Sequence, residues 1–157
     1  MGMSEYYKNL REKIGNQLIF MPSVVGIIRN ENKEILFGRK HNEENWGLIA
    51  GAIELSETPA QAIIREVQEE TGLIILPERI IGVYGGEGGR FTYSNGHQVE
   101  YLSIVFDCKI IGGELNPDNE EMKELKYFSE FQIPSITNNY PKYIFNSHQQ
   151  ERADFEV

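Results

Sequence analysis

Tyr7, Leu10 and Ile14 in the segment SEYYKNLREKIG are spaced three and four apart, as on one helix face, and predict a short amphipathic helix over 4–15 ending at Gly15. Two β-rich runs follow, Leu18 to Ile28 and Glu34 to Gly38, and the polar RNENK between them predicts a hairpin. After the turn HNEEN comes WGLIAGAIELSE, and then the strongest helix signal in the chain. Thr58 is placed to cap, Pro59 suits the first helical position, and Gln61 completes a T-x-x-Q capping box. Gly72 stands where a left-handed residue ends a helix, so a helix is predicted over 59–71. Leu73 to Leu76 and Ile80 to Tyr84 read as strands, then the glycine-rich GGEGGRF interrupts. Thr92 to Ile111 reads as a hairpin turned at Asn95-Gly96, and Glu124 to Phe128 as a short strand. Tyr140, Tyr143 and Ile144, with Pro141 in the first turn, predict a last helix over about 140–150. Strands interspersed with a few helices, with antiparallel hairpins among them, indicate an α/β or α+β sandwich rather than a doubly wound parallel sheet.

Composition narrows the class. At 157 residues the chain can bury a full core without staples, and no repeat or linker divides it, so one domain over 1–157 is expected. The single Cys108 excludes an internal disulfide framework and, within an apolar strand, reads as a small core residue. No apolar run reaches the roughly 18 residues of a membrane span, and MGMSEYYKNLREK is charged where a signal peptide is apolar; a cytoplasmic location is expected, with no membrane partner. The net charge of -9 argues against binding a nucleic-acid polymer through a broad basic face. It does not forbid an anionic substrate, provided cations are recruited to the site. His41, His97 and His148 form no ligand spacing.

The acids gather on the central helix. At about 100° per residue, Glu66, Glu69 and Glu70 share an arc of roughly 100°, beside the core stripe of Ala60, Ile63, Ile64, Val67 and Thr71. Like charges at these spacings repel, and a bound divalent cation would reverse the sign of that cost. A surface helix of an acidic protein can carry three such glutamates by chance, but the surrounding residues make chance a poor account. From Gly51 the chain reads GAIELSETPAQAIIREVQEETGL, which fits G-x5-E-x7-R-E-U-x-E-E-x-G-U with U a bulky aliphatic residue. A random match is on the order of 10^-10 per starting point at ordinary residue frequencies.

This segment resembles the Nudix box, the defining motif of the Nudix hydrolases. The resemblance implies a Nudix-like α/β/α sandwich with a mixed β-sheet, and metal-dependent hydrolysis of a diphosphate linkage in a nucleoside diphosphate derivative. It implies Mg²⁺ or Mn²⁺ as cofactor, held by Glu66, Glu69, Glu70 and the Gly51 carbonyl, with Arg65 and Glu57 organising the loop. Trp46-Gly47-Leu48 looks like the family's lead-in. Three positions depart from the common pattern: Ile49 and Ala50 stand where many members have proline and glycine, Ala50 narrowing the loop's backbone freedom, and Ser56 also replaces a glycine. A further acid from a loop often completes such sites. Glu120 and Glu121 are the candidates, and Glu121, six residues before Tyr127, is the one chosen. Arg39, Lys40 and Arg90 are candidate phosphate-binding cations.

Substrate choice in the family lies outside the box. The proline about 15 residues beyond it that marks ADP-ribose preference is replaced by Gly88, whereas Phe91 and Tyr93 lean faintly toward dinucleoside polyphosphates. Two rival readings remain, an isoprenoid-diphosphate isomerase, which needs a nucleophilic cysteine near the box, and a non-catalytic nucleotide sensor, which the intact acid set disfavours. Homodimerisation is left open.

Overall fold

The computed structural model describes residues 3–117, 119–147 and 152–155. Its elements are α1 (Glu5–Ile14), β1 (Ile19–Ile28), β2 (Ile35–Lys40), β3 (Gly47–Ala52), α2 (Pro59–Thr71), β4 (Leu73–Tyr84), β5 (Arg90–Thr92), β6 (Gln98–Gly113), β7 (Met122–Phe128) and β8 (Asp154–Phe155). Short 3-10 turns at Glu87–Gly89 and Lys142–Phe145 complete them. The strands form one mixed sheet in the order β7-β2-β3-β1-β6-β4-β8, with β5 paired to β6. The β1·β6 and β4·β8 pairs are parallel and the others antiparallel.

β1 is the central strand, and it is buried on both faces over its second half, as a continuous apolar run requires. Side chains alternate across it: Val24 and Ile28 face the core beneath α2, whereas Val25 and Ile27 face the opposite core. Leu36 and Phe37 of β2 divide in the same way. α2 supplies Ala62, Ile63 and Val67 to the first core, each fully buried. Burying the Ile63 and Val67 side chains stabilises the packing by about 1.5–3 kcal/mol each. α1 closes a third cluster, in which Tyr7 packs with Ile19, Met21 and Val99.

The predicted helices over 4–15 and 59–71 and the turn at Asn95-Gly96 agree with the structure; Gly96 has φ 84° and the turn closes with Tyr93 N–H on the His97 carbonyl at 2.9 Å. Three expectations are corrected. The runs at 18–28 and 34–38 begin as a hairpin, with Asn30 N–H on the Glu34 carbonyl at 3.0 Å, but β3 then wedges between them and pairs with both. Leu73 to Leu76 and Ile80 to Tyr84 are one bent strand, because Pro77 falls at a register shift against β6, where a missing N–H costs little.

The helix expected over 140–150 is a single 3-10 turn at Lys142–Phe145, and residues 148–150 lie outside the described residues. Its continuation is blocked by competing partners. Arg29 takes the carbonyls of Phe145 and Asn146 at 3.2 and 3.4 Å, and Glu130 takes the Ser147 N–H and hydroxyl at 2.6 and 3.1 Å. Asn146 is accordingly extended, with ψ 131°.

Candidate active site

α2 is built to hold its acids still. Thr58 accepts from the Gln61 N–H at 3.2 Å, Gln61 Oε1 accepts from the Thr58 N–H at 2.9 Å, and Gly72 ends the helix at φ 78°. The buried Ile63 and Val67 fix the helix's rotation and so aim Glu66, Glu69 and Glu70 into a cavity of about 920 Å³.

Arg65 is the hub. Its Nε and Nη2 donate to the two carboxylate oxygens of Glu57 at 2.8 and 2.9 Å, a bidentate pair, and Nη2 also reaches the Ala52 carbonyl at 3.0 Å. Nη1 donates to Glu66 at 2.5 Å and to Glu69 at 3.4 Å. Hydrogen bonding to Arg65 lowers the Glu57 pKa, and the same bonds, Glu57 foremost, raise that of Arg65. The loop from β3 to α2 is thus tied to the helix that carries the acids.

The three glutamates differ in depth. Side-chain exposure falls from 26% at Glu69 to 14% at Glu66 and 1% at Glu70. Burial raises the pKa of Glu66 against the opposing pull of Arg65, and pushes Glu70 up to about 7. Lys40 meets Glu70 Oε1 at 3.1 Å. Burial disfavours the Lys40 ammonium, but the Glu70 carboxylate outweighs that and raises its pKa. The other Glu70 oxygen, Oε2, is buried and makes no hydrogen bond among the described residues.

Gly51 needs no unusual backbone: it lies in β3 opposite Val24, and no positive φ occurs there. Its constraint is steric. A Cβ at position 51 would collide with the Glu66 carboxylate, so only glycine lets that acid lie against the strand. Ala50 is likewise ordinary strand, paired with Val25, and its side chain costs the loop nothing. Ser56 does adopt φ 66°, the left-handed region that glycine ordinarily fills.

The cavity brings together Gly51, Arg65, Glu66, Glu69, Glu70, Lys40, Arg90 and Glu121. Glu57 and Arg39 lie off its wall; Arg39 pairs with Glu124 at 2.5 Å and covers the Trp46 ring. Arg90 is exposed and its charge is matched by Glu100 at 2.6 Å. Glu121 lines the cavity and Glu120 faces solvent. Sequence reasoning missed Asn119, which holds that loop in place. Its Oδ1 accepts the N–H groups of Glu121 and Met122 at 3.0 and 2.9 Å, while its Nδ2 donates to the Glu70 carbonyl at 2.9 Å. An asparagine in a polar stretch just before a strand is a turn signal, but nothing in the sequence names the partner.

Among the described residues, no three carboxylate, imidazole or thiol groups form a ready-made ion cage, since Arg65 and Lys40 engage the carboxylates. The donor set nonetheless fits a hard divalent cation: a buried carboxylate oxygen without a hydrogen bond, two further carboxylates on the same helix face, and a glycine cleared of side chain beside them.

The model of the NUDIX domain matches residues 19–146 of this chain. The chain belongs to the Nudix family. It is 36% identical over 124 residues to an ADP-ribose pyrophosphatase of Methanocaldococcus jannaschii, covering 78% of this chain and 69% of that one. It is 29% identical over 116 residues to the NAD-capped RNA hydrolase NudC of Vibrio atlanticus, covering 73% of this chain but only 39% of that protein. Among solved structures, a UDP-X diphosphatase superposes with TM-score 0.70 at 23% identity, covering 98% of this chain and 76% of that one. An ADP-ribose pyrophosphatase of Streptococcus suis superposes with TM-score 0.66 at 20% identity, covering 85% and 98%. At these identities the two structures speak for the fold, a mixed α/β Nudix architecture.

Proposed function

We propose that the chain is a single Nudix hydrolase domain, a pyrophosphohydrolase that cleaves the diphosphate linkage of a nucleoside diphosphate joined to a second group. The observation that carries the reading is the convergence of Glu66, Glu69 and Glu70 with Glu121 on one cavity. The family match and the names of the relatives, ADP-ribose pyrophosphatase among them, support it. Glu66, Glu69, Glu70 and the Gly51 carbonyl would hold Mg²⁺ or Mn²⁺. Such an ion supplies charge stabilisation to the diphosphate and lowers the pKa of a coordinated water.

The remaining roles belong to the chain. Arg65, clamped by Glu57, holds the β3–α2 loop and the Glu66 carboxylate in register. Glu121 receives the proton of the attacking water; the water oxygen bonds to one phosphorus, the bridging P–O bond breaks, and the other phosphate leaves with the electron pair. Lys40, which reaches the deepest carboxylate, and Arg90 at the cavity wall are the cations available to the phosphates. Arg39, engaged elsewhere, is a weaker candidate.

An isomerase using a cysteine is disfavoured: Cys108 is buried off the cavity and burial pushes its pKa up to about 12. No helix of the described residues is long and apolar enough to cross a membrane; a cytoplasmic location is our reading, supported by the chain's single cysteine, which can form no internal disulfide. The test is product analysis by ³¹P NMR on ADP-ribose, dinucleoside polyphosphates, nucleotide sugars and nucleoside triphosphates. At least one should be cleaved with Mg²⁺ or Mn²⁺ and none in excess chelator; full activity in chelator contradicts the reading.

A further inference from the structure

A helix leaves the carbonyls of its last turn without partners inside itself. In α2 the Gly72 N–H takes the Gln68 carbonyl at 2.9 Å, and the chain between β6 and β7 takes two of the others. Asn116 N–H donates to the Thr71 carbonyl at 2.8 Å, and Asn119 Nδ2 donates to the Glu70 carbonyl at 2.9 Å. A Cβ at Gly72 would meet the Glu114 carbonyl at 2.5 Å, so the two segments approach backbone to backbone there. The same chain carries Glu121. An acid remote from α2 in sequence is therefore built onto the end of the helix that bears Glu66, Glu69 and Glu70.

Asn119 is the joint, and each of its polar groups is committed. Besides the bonds to Glu70, Glu121 and Met122 given above, Nδ2 donates to the Asn116 carbonyl at 3.0 Å, and the backbone N–H donates to the Met122 carbonyl at 3.0 Å. Its carbonyl lies 2.9 Å from His41 Nε2. A carbonyl only accepts, so that ring nitrogen carries the proton and donates it. His41 follows Lys40, whose ammonium meets the Glu70 carboxylate, so the joint ties together α2, the end of β2 and the chain bearing Glu121. Two carbonyls at Nδ2 and two N–H groups at Oδ1 also fix which way the amide points. Aspartate would set an oxygen against two carbonyl oxygens. Asn119 itself does not line the cavity.

We propose that Asn119 is a positioning residue for the hydrolysis: by holding the Glu70 carbonyl with one end of its amide and the Glu121 N–H with the other, it sets where the loop acid stands relative to the acids of α2. The inference rests on the hydrolase reading and on the role that reading gives Glu121. One bond separates positioning from the mere making of a turn. The Oδ1 bonds to Glu121 and Met122 are enough for an asparagine turn, whereas the Nδ2 bond to Glu70 adds nothing to the turn and joins it to the helix. A displacement of about 1 Å at a reacting group can cost about 10² in rate. What passes through Glu121 cannot exceed what Glu121 supplies, also about 10².

A double-mutant cycle tests it: kcat and KM of the wild type, Asn119→Ala, Asn119→Asp, Glu121→Gln and the two combinations, with Mg²⁺ and whichever of ADP-ribose, a dinucleoside polyphosphate or a nucleotide sugar the wild type cleaves fastest. Asn119 is half-buried in a loop, so the variants should fold. Both Asn119 variants should lose about 10- to 100-fold in kcat with KM within about threefold of wild type. In the Glu121→Gln background each should cost less than about threefold more, because the acid it positions is already gone. Mn²⁺ affinity of Asn119→Ala, read by electron paramagnetic resonance, should stay within about twofold, since the α2 acids keep their helix. Wild-type kcat in Asn119→Asp, which retains the turn-forming Oδ1, would assign the residue to the turn alone and overturn the proposal. A loss equally large with and without Glu121, or Mn²⁺ binding weakened tenfold in Asn119→Ala, would also overturn it. A wild type that cleaves none of the substrates, or Glu121→Gln at full rate, would instead overturn the reading on which the inference rests.

Discussion

Glu70 shows how much a single position differs from its place on a helical wheel. Spacing puts it beside Glu66 and Glu69, but only in the fold does it become the deepest of the three, at 1% exposure with Lys40 as its partner. Its pKa rises from 4.5 to about 7, so between those values the folded protein holds a proton that the unfolded chain releases. The stability from this group is therefore full below the unfolded value and lost as pH rises through the folded one. In chelator, the urea midpoint of the wild type relative to Glu70→Gln should fall between about pH 5 and pH 8; a constant difference contradicts the burial assignment. Glu121 makes a second comparison at this scale. Glu121→Gln should lower kcat by about 10² with little change in stability, and the exposed Glu120→Gln should behave like wild type. The reverse ranking would transfer the role to Glu120.

At the scale of elements, α2 was legible because its information is local. The capping box, the C-terminal glycine and the acidic arc all lie within one continuous segment, and the observed helix keeps the predicted bounds. The hairpin assigned to β1 and β2 was not, since nothing between residues 18 and 38 says that β3 will insert between them. The last helix failed for a similar reason: Arg29 and Glu130, distant in sequence, take the groups a helix would need. At the site, the acids were readable from their spacing. The reason for Gly51 was not, because its constraint is the Glu66 carboxylate rather than its own backbone. β6 offers a direct check of the packing. Cys108 is 5% exposed and its thiol is pushed up to about 12, so a thiol reagent at about pH 8 should label it only after unfolding. Rapid labelling of the native protein would reopen the cysteine-based alternative.

On the scale of the whole molecule, α2 supplies carboxylates to the cavity while α1, β6 and the segments around Tyr93 and Tyr140 supply aromatic side chains to the same lining. The β3–α2 loop joins them, held by Arg65 from one side and Tyr7 from the other. The central claim is that the α2 acids form the metal site serving that cavity. Titration of Mn²⁺ followed by electron paramagnetic resonance of the free ion tests it most directly, comparing wild type with Glu69→Gln, whose side chain is the most exposed of the three and whose loss least disturbs the core. The account predicts saturable Mn²⁺ binding by the wild type, weakened at least about tenfold in Glu69→Gln at unchanged fold. Equal Mn²⁺ affinity in the two proteins, or no saturable binding by the wild type, would contradict it.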